Sequence, residues 1–201
     1  GLRFLAELPE ETGGVELPKE AEAAYAAAVG PDGRTIAAAS VYASGGEIYS
    51  TVHLFSADSS EELAQRRFDG SAVIGLSFTG GGDVRVICDD QAAEVDTKGD
   101  LLGYYRYEKD LTAYLCPPDG DETILIFDHY TETRSCKLVF LGEEMKEKAS
   151  ASAAGKIGAC CCDAKRAAVY CSGNLTVFGT DGSMLAYSAA EQGAMKIALV
   201  N

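Results

Sequence analysis

Set Cys88 of this chain on Cys171, 83 residues further on, and a gapless register follows. Val95 falls on Phe178, Thr97 on Thr180, Gly99 on Gly182, Leu102 on Leu185 and Tyr104 on Tyr187. VDTKGDLLGYY and FGTDGSMLAYS each read as a strand, a tight turn whose glycine tolerates positive φ, and a second strand. Another pair of segments interleaves with these. PDGRTIAAASVY (31–42) matches PDGDETILIFDHY (118–130), with Thr35 on Thr123, Ile36 on Ile124 and Tyr42 on Tyr130. STVHLF (50–55) then matches SCKLVF (135–140). Two alternating phrases make the elementary unit about 42 residues long, within the ~40–50-residue period of propeller blades and above that of leucine-rich repeats.

The period divides the chain, read as a single domain over 1–201, into units near 21–70, 71–110, 111–154 and 155–194. Each holds four short apolar runs punctuated by Gly, Asp and Pro, the pattern of antiparallel strands. In the first unit these are AAYAAAV, RTIAAASVY, EIYSTVHLF and AQRRF, joined by a PDG turn, a GG turn and the acidic DSSEEL loop. The first strand of every unit is built of small residues (AYAAAV, VIGLSF, AYLC, IGACCC), as crowding around a central axis demands. Helical signals are sparse: Glu20–Ala28 is Ala-rich, and Ser60–Arg66 is long enough for one turn. The expected fold is therefore all-β, a β-propeller of four four-stranded blades. Two remainders, 195–201 (MKIALVN) and 2–8 (LRFLAEL), are apolar enough to need strand partners. They are expected to share a partial fifth blade, because propellers hide their edges by closing on themselves. The alternative is an open arc that needs a second copy.

The PDG turns at Pro31–Gly33 and Pro118–Gly120 precede strands, and the phrase D/T-x-x-G-x-L-L stands at Asp96–Leu102 and, more loosely, at Gly179–Leu185. On these motifs the sequence resembles WD-repeat-like and quinoprotein-like β-propellers over about Ala21 to Asn201. That resemblance implies a fold and no activity. The chain has no Trp, no Gly-His dipeptide before a blade, and no side-chain set matching a quinone or calcium site. More narrowly, it is similar to an uncharacterised propeller family of gut Gram-positive bacteria, anchored by one N-terminal membrane helix. That likeness implies an extracytoplasmic, membrane-anchored protein; without it a cytoplasmic one is expected. Gly1 in place of an initiator Met reads as the mark of a trimmed chain.

The charge balance, 17 Lys and Arg against 31 Asp and Glu for a net −14, argues against nucleic acid and anionic membranes as partners. No apolar run reaches the ~18 residues of a membrane span, so no direct membrane contact is expected. The seven cysteines are odd in number and include no CxxC pair, which argues against a zinc site or a disulfide framework. They read as buried free thiols. In a strand, Cys160 and Cys162 face one way and Cys161 the other. Aligning the inner strands of the third and fourth units brings Cys116 near Cys162, so a disulfide there is the alternative.

His53 and His129, each alone in an apolar segment, read as packed, hydrogen-bonded residues. Nothing assembles a nucleophilic triad: no G-x-S-x-G is present. Thr79–Asp83 is glycine-rich but leads into a strand, so it reads as a hairpin turn rather than a phosphate cradle. Asp89, Asp90 and Asp128 read as turn residues bonded to their own backbone. Glu61-Glu62 and Glu143-Glu144 read as solvated loops. No catalytic, cofactor-binding or metal-binding residue is assigned, and no cofactor is expected. The functional expectation is a non-enzymatic binding module for a protein or glycan, resting on fold analogy. A propeller-type glycosidase or lyase is the alternative, with Asp89, Asp90 and Asp128 as its acids. Exposed Tyr or Phe on an end face would favour binding, and paired carboxylates in a pocket would favour the enzyme.

Overall fold

A computed structural model describes residues 3–8, 11–16, 23–118, 120–129, 134–190 and 196–199. Each repeat unit folds into one antiparallel four-stranded sheet in chain order. Blade 1 is β3 (Ala23–Val29), β4 (Thr35–Ser44), β5 (Glu47–Ser56) and β6 (Glu62–Asp69). Blade 2 is β7 (Val73–Phe78), β8 (Val84–Cys88), β9 (Gln91–Val95) and β10 (Leu101–Arg106). Blade 3 is β11 (Leu111–Leu115), β12 (Thr123–Asp128), β13 (Ser135–Leu141) and β14 (Glu147–Ala154). Blade 4 is β15 (Ile157–Cys162), β16 (Arg166–Cys171), β17 (Asn174–Gly179) and β18 (Met184–Ala189). Among the described residues the one helical piece is a 3-10 turn, Glu143–Met145, leading into β14. The Ala-rich Glu20–Ala28 and the Ser60–Arg66 stretch contribute to β3 and β6 instead, ladder pairing overriding helix propensity.

The partial fifth blade is not made as expected. The N-terminal strand, β1 (Arg3–Leu8), takes β2 (Glu11–Glu16) as its partner in a separate two-stranded sheet, with Leu8 opposite Glu11. Residues 196–199 carry no strand, and 195, 200 and 201 lie outside the described residues. The reason is local: β2 follows β1 closely in the sequence, and pairing near neighbours closes at far less entropic cost than pairing chain ends.

The chain forms two compact units, Gly1–Arg106 and Tyr107–Asn201, each containing two complete blades. In the first unit Ala37, Ala39, Val52, Leu54 and Phe68 of blade 1 pack on Val73, Val84, Val86, Cys88, Ala93 and Val95 of blade 2. In the second, Ile124, Ile126, Cys136, Leu138, Phe140 and Ala153 pack on Ala167, Val169, Cys171 and Phe178. Val84, Val86, Cys88 and Val95 of blade 2 and the residues 83 positions on in blade 4, Ala167, Val169, Cys171 and Phe178, are all core residues.

The ladders verify the longer phrase residue by residue. Tyr104 stands opposite Ala93 and Tyr187 opposite Thr176. The strand pairing skips Leu102 in one and Leu185 in the other. The second phrase needs a correction. Ala39 pairs Val52 on one side and Ala26 on the other, and Ile126 pairs Leu138 and Ala113. The counterpart of Ile124 is therefore Ala37, not Ile36. A one-residue slip swaps the faces of a strand, and it is Ala37 and Ala39 that face the core. Keeping the two PDG turns in register, without the extra residue, aligns β4 with β12 correctly. The match of 50–55 to 135–140 slips likewise, since the ladders set Ser50 on Cys136 and Val52 on Leu138.

The turn glycines of blades 2 and 4 are fixed twice over. Gly99 and Gly182 have φ of +85° and +80°, in the left-handed region. Each closes a turn by donating its N–H to Asp96 or Gly179. Each also presses on the outer strand of the preceding blade: a Cβ on Gly99 would lie 3.0 Å from the Gln65 carbonyl oxygen, and one on Gly182 2.7 Å from the Ala149 Cβ.

Candidate functional site

Every blade carries two bulges at the same places. In the first strand the extra residue is Tyr25, Ile74, Thr112 or Gly158. In the fourth it is Leu63, Leu102, Lys148 or Leu185. A bulged residue leaves the alternation of its strand, so its side chain is re-aimed. That accounts for five large apolar side chains left in water: Tyr25 (65 % exposed), Ile74, Leu63, Leu102 and Leu185. Among them, Tyr25 and Ile74 lie at the starts of β3 and β7, at one end of the first unit.

Strand direction brings further aromatic residues to that same end. Tyr42, near the end of β4, stacks on Tyr49 near the start of β5 with ring centroids 4.9 Å apart and planes at 10°. The Arg67 guanidinium covers the Tyr49 ring at 3.7 Å, and its Nε donates to Asp69 Oδ1 at 2.5 Å. Ile48, at the hairpin tip, is 47 % exposed. The second unit holds Thr112, Gly158, His129, Ser135 and Ser152 at the corresponding positions. One end of unit 1 is aromatic and apolar; its counterpart in unit 2 is small and polar.

A second constellation escaped the sequence reading. Across blade 1, Ser40 Oγ lies 3.1 Å from His53 Nε2, and His53 Nδ1 lies 2.8 Å from Glu62 Oε1. With Nδ1–H donating to the carboxylate, Nε2 is left to accept the Ser40 hydroxyl, the order of groups in a serine-hydrolase triad. Burial decides against that use. Ser40 and His53 are wholly enclosed, and Ser40 Oγ is also 3.4 Å from the Thr51 carbonyl, so no substrate reaches the hydroxyl. The row ties three strands together, and His53 is the packed, bonded residue expected of it. No sequence signal marks the row, because its three residues meet only once β4, β5 and β6 are in register.

Of the aspartates read as bonding their own turns, Asp89 reaches the start of another strand instead and Asp128 ends β12. Asp89 Oδ1 accepts the Ala72 N–H at 2.9 Å, binding the start of β7 to the end of β8. Asp128 donates its backbone N–H to Thr112 Oγ1 at 3.0 Å. Asp90 follows Asp89 in the same bend. Thr79 closes its glycine turn through Oγ1, which accepts the Asp83 N–H at 3.0 Å. His129, partly exposed, lies 3.2 Å from Asp110 Oδ2. Glu143 and Glu144 sit in the exposed 3-10 turn, where Glu144 pairs with Lys146.

All seven cysteines are free thiols. Burial pushes the Cys162 thiol up to about 11, with a smaller contribution from Cys116. The shortest sulfur contact lies elsewhere, between Cys136 and Cys171, 3.4 Å apart and both buried. Among the described residues no group of three or more His, Cys, Asp or Glu side chains could hold a metal ion. No helix among them is long and apolar enough to cross a membrane.

Four such sheets with small inner strands define a protein of the β-propeller class. No protein-family model and no curated protein matches the sequence. Solved structures do match. BamB from Moraxella catarrhalis is similar at 12% identity and a TM-score of 0.56, over 86% of this chain and 54% of that one. Sqt1 from Saccharomyces cerevisiae gives 12% identity and 0.60, over 86% and 50%. The Pan2 WD40 domain of Neurospora crassa gives 10% and 0.56, over 81% and 51%. This chain spans about half the length of the propellers it resembles, and at such identities the likeness is one of fold.

Proposed function

We propose that this chain is a non-enzymatic binding module that engages a protein partner through the apolar end of its first unit. The observation that carries the reading is the contrast between equivalent bulges: Tyr25 and Ile74 stand in water where the second unit has Thr112 and Gly158. An exposed apolar cluster rimmed by polar residues is the usual mark of a protein-binding surface. The neighbouring Tyr42–Tyr49–Arg67 stack supplies the residue types that dominate binding energy at interfaces. A protein rather than a glycan fits the unbroken apolar side chains, and the acidic surface disfavours polyanions. The enzyme alternative finds less support, since the Asp89 carboxylate is taken up by the Ala72 N–H and Asp128 belongs to a different blade.

The test is a side-by-side retention of the natural host's proteins on immobilised chain and on the Tyr25→Ser, Ile74→Ser double variant. Both changed residues are exposed, so melting temperature stays close to that of the unaltered chain. Retention of a discrete partner by the unaltered chain and its loss in the variant is expected. Equal retention by both, or binding only to a glycan array, overturns the reading.

A further inference from the structure

Six of the seven cysteines, Cys116, Cys136, Cys160, Cys161, Cys162 and Cys171, belong to the second unit. Two of them meet in its core. Cys136 begins β13 of blade 3, Cys171 ends β16 of blade 4, and their sulfurs are 3.4 Å apart in a thiol hydrogen bond. The first unit has the same junction with different chemistry. Cys88 occupies the Cys171 position, while ladder partners Val41 and Phe68 place Ser50 where Asp128 and Ala153 place Cys136. Ser50 there accepts the Val73 N–H and donates to the Ser71 carbonyl, both at 2.9 Å, joining blade 1 to blade 2 non-covalently.

We propose that Cys136 and Cys171 are an oxidation site, a dithiol that a peroxide converts into a disulfide joining blades 3 and 4. The hydrogen bond from Cys171 draws the Cys136 thiol below its usual range and pushes that of Cys171 up, so Cys136 is the sulfur that ionises. Only the thiolate is nucleophilic. It attacks one oxygen of hydrogen peroxide; the O–O bond breaks, and the other oxygen leaves as water with the proton that Cys136 released. The product is a sulfenic acid on Cys136. Cys171 then attacks that sulfur, the S–O bond breaks, and the departing hydroxide takes the Cys171 proton as a second water. Two thiols and one peroxide become one disulfide and two waters. Both sulfurs are fully buried beside half-buried Cys160 of β15, so peroxide reaches them when the seam between blades 3 and 4 opens transiently. The first unit cannot follow, because Ser50 has no sulfur to offer Cys88.

The test treats the folded chain with hydrogen peroxide, blocks remaining thiols under denaturing conditions, and maps linked peptides by mass spectrometry. A Cys136–Cys171 link is expected in most molecules. It should be accompanied by a melting temperature raised by about 10 °C, as closing a loop of this length implies, and reversed by dithiothreitol. Cys136→Ser, which installs the residue that unit 1 already tolerates, and Cys171→Ala should each abolish link and shift. Cys136 and Cys171 both recovered unlinked after peroxide, or a link between Cys116 and Cys162 in their place, refutes the proposal.

Discussion

The two units share a plan and differ in substance. Both pair two four-stranded blades, bulge at the same strand positions, and seat a glycine turn against the preceding blade. Yet β4 presents Ala37, Ala38, Ala39 and Ser40 where β12 presents Ile124, Leu125, Ile126 and Phe127, and all eight are buried. On the neighbouring strand His53 stands where Val139 does. Blade 3 is held by apolar volume. Blade 1 has little volume to bury in β4 and substitutes a polar row. The lesson is that blade geometry comes from bulges and turns, while the means of cohesion is free to vary. That freedom leaves room for the exposed aromatic end in one unit and the thiol pair in the other.

Four substitutions separate these claims, from the largest expected effect to the smallest. Phe140→Ala strikes the seam of unit 2, where the ring is fully buried and meets Phe178 edge-on at 6.2 Å. A loss of about 3–5 kcal/mol in denaturant unfolding is expected. His53→Ala strikes the polar row. It empties a buried site and takes away the imidazole that Ser40 and Glu62 share, for a loss of about 2–4 kcal/mol. A loss below ~1 kcal/mol would mean that Ser40 and Glu62 re-pair readily and the row does not substitute for apolar packing.

Gly182→Ala tests the seating of the turns against Gly33→Ala as a control. Gly33 has φ of +70° but open space around a Cβ, so only the backbone cost of about 1 kcal/mol applies. Gly182 adds the clash with Ala149, and its loss should be about twice as large. Equal losses would show that the turn does not bear on the preceding blade.

Asp163→Asn gives the smallest effect. Hydrogen bonding from Arg166 holds the Asp163 carboxyl below the usual range, so the unfolded chain takes up that proton first as pH falls. The stabilisation is present at neutral pH and is lost as pH drops through the folded value. The melting temperatures at pH 7 and pH 3 should lie closer together in the variant than in the unaltered chain.

Much of the fold was legible because a repeat imposes the same hydrophobic pattern more than once. The Cys88–Cys171 register set Leu102 on Leu185 and Tyr104 on Tyr187, and the ladders give the members of each pair equivalent places. Where the pattern weakened, the reading slipped. Blade 1 carries an Ala run in β4, and with alanine on both faces no alternation distinguishes Ile36 from Ala37 as the counterpart of Ile124. The N-terminal strand was assigned by its apolarity alone, which says that a partner is needed and not which one. The candidate sites were the least legible. Ser40, His53 and Glu62 are unremarkable as a sequence pattern, and Tyr25 reads as an inner-strand residue until the bulge turns it to water. Cys136 and Cys171 are 35 residues apart and become neighbours only through the packing of two blades.

The central claim, that blades 2 and 4 are the same element built twice, is tested most directly by an experimental structure at side-chain resolution. It should place Tyr104 opposite Ala93 and Tyr187 opposite Thr176, with Leu102 and Leu185 bulged out of their ladders. A one-residue difference between the two registers, which would put one tyrosine on the opposite face of its blade, contradicts the account.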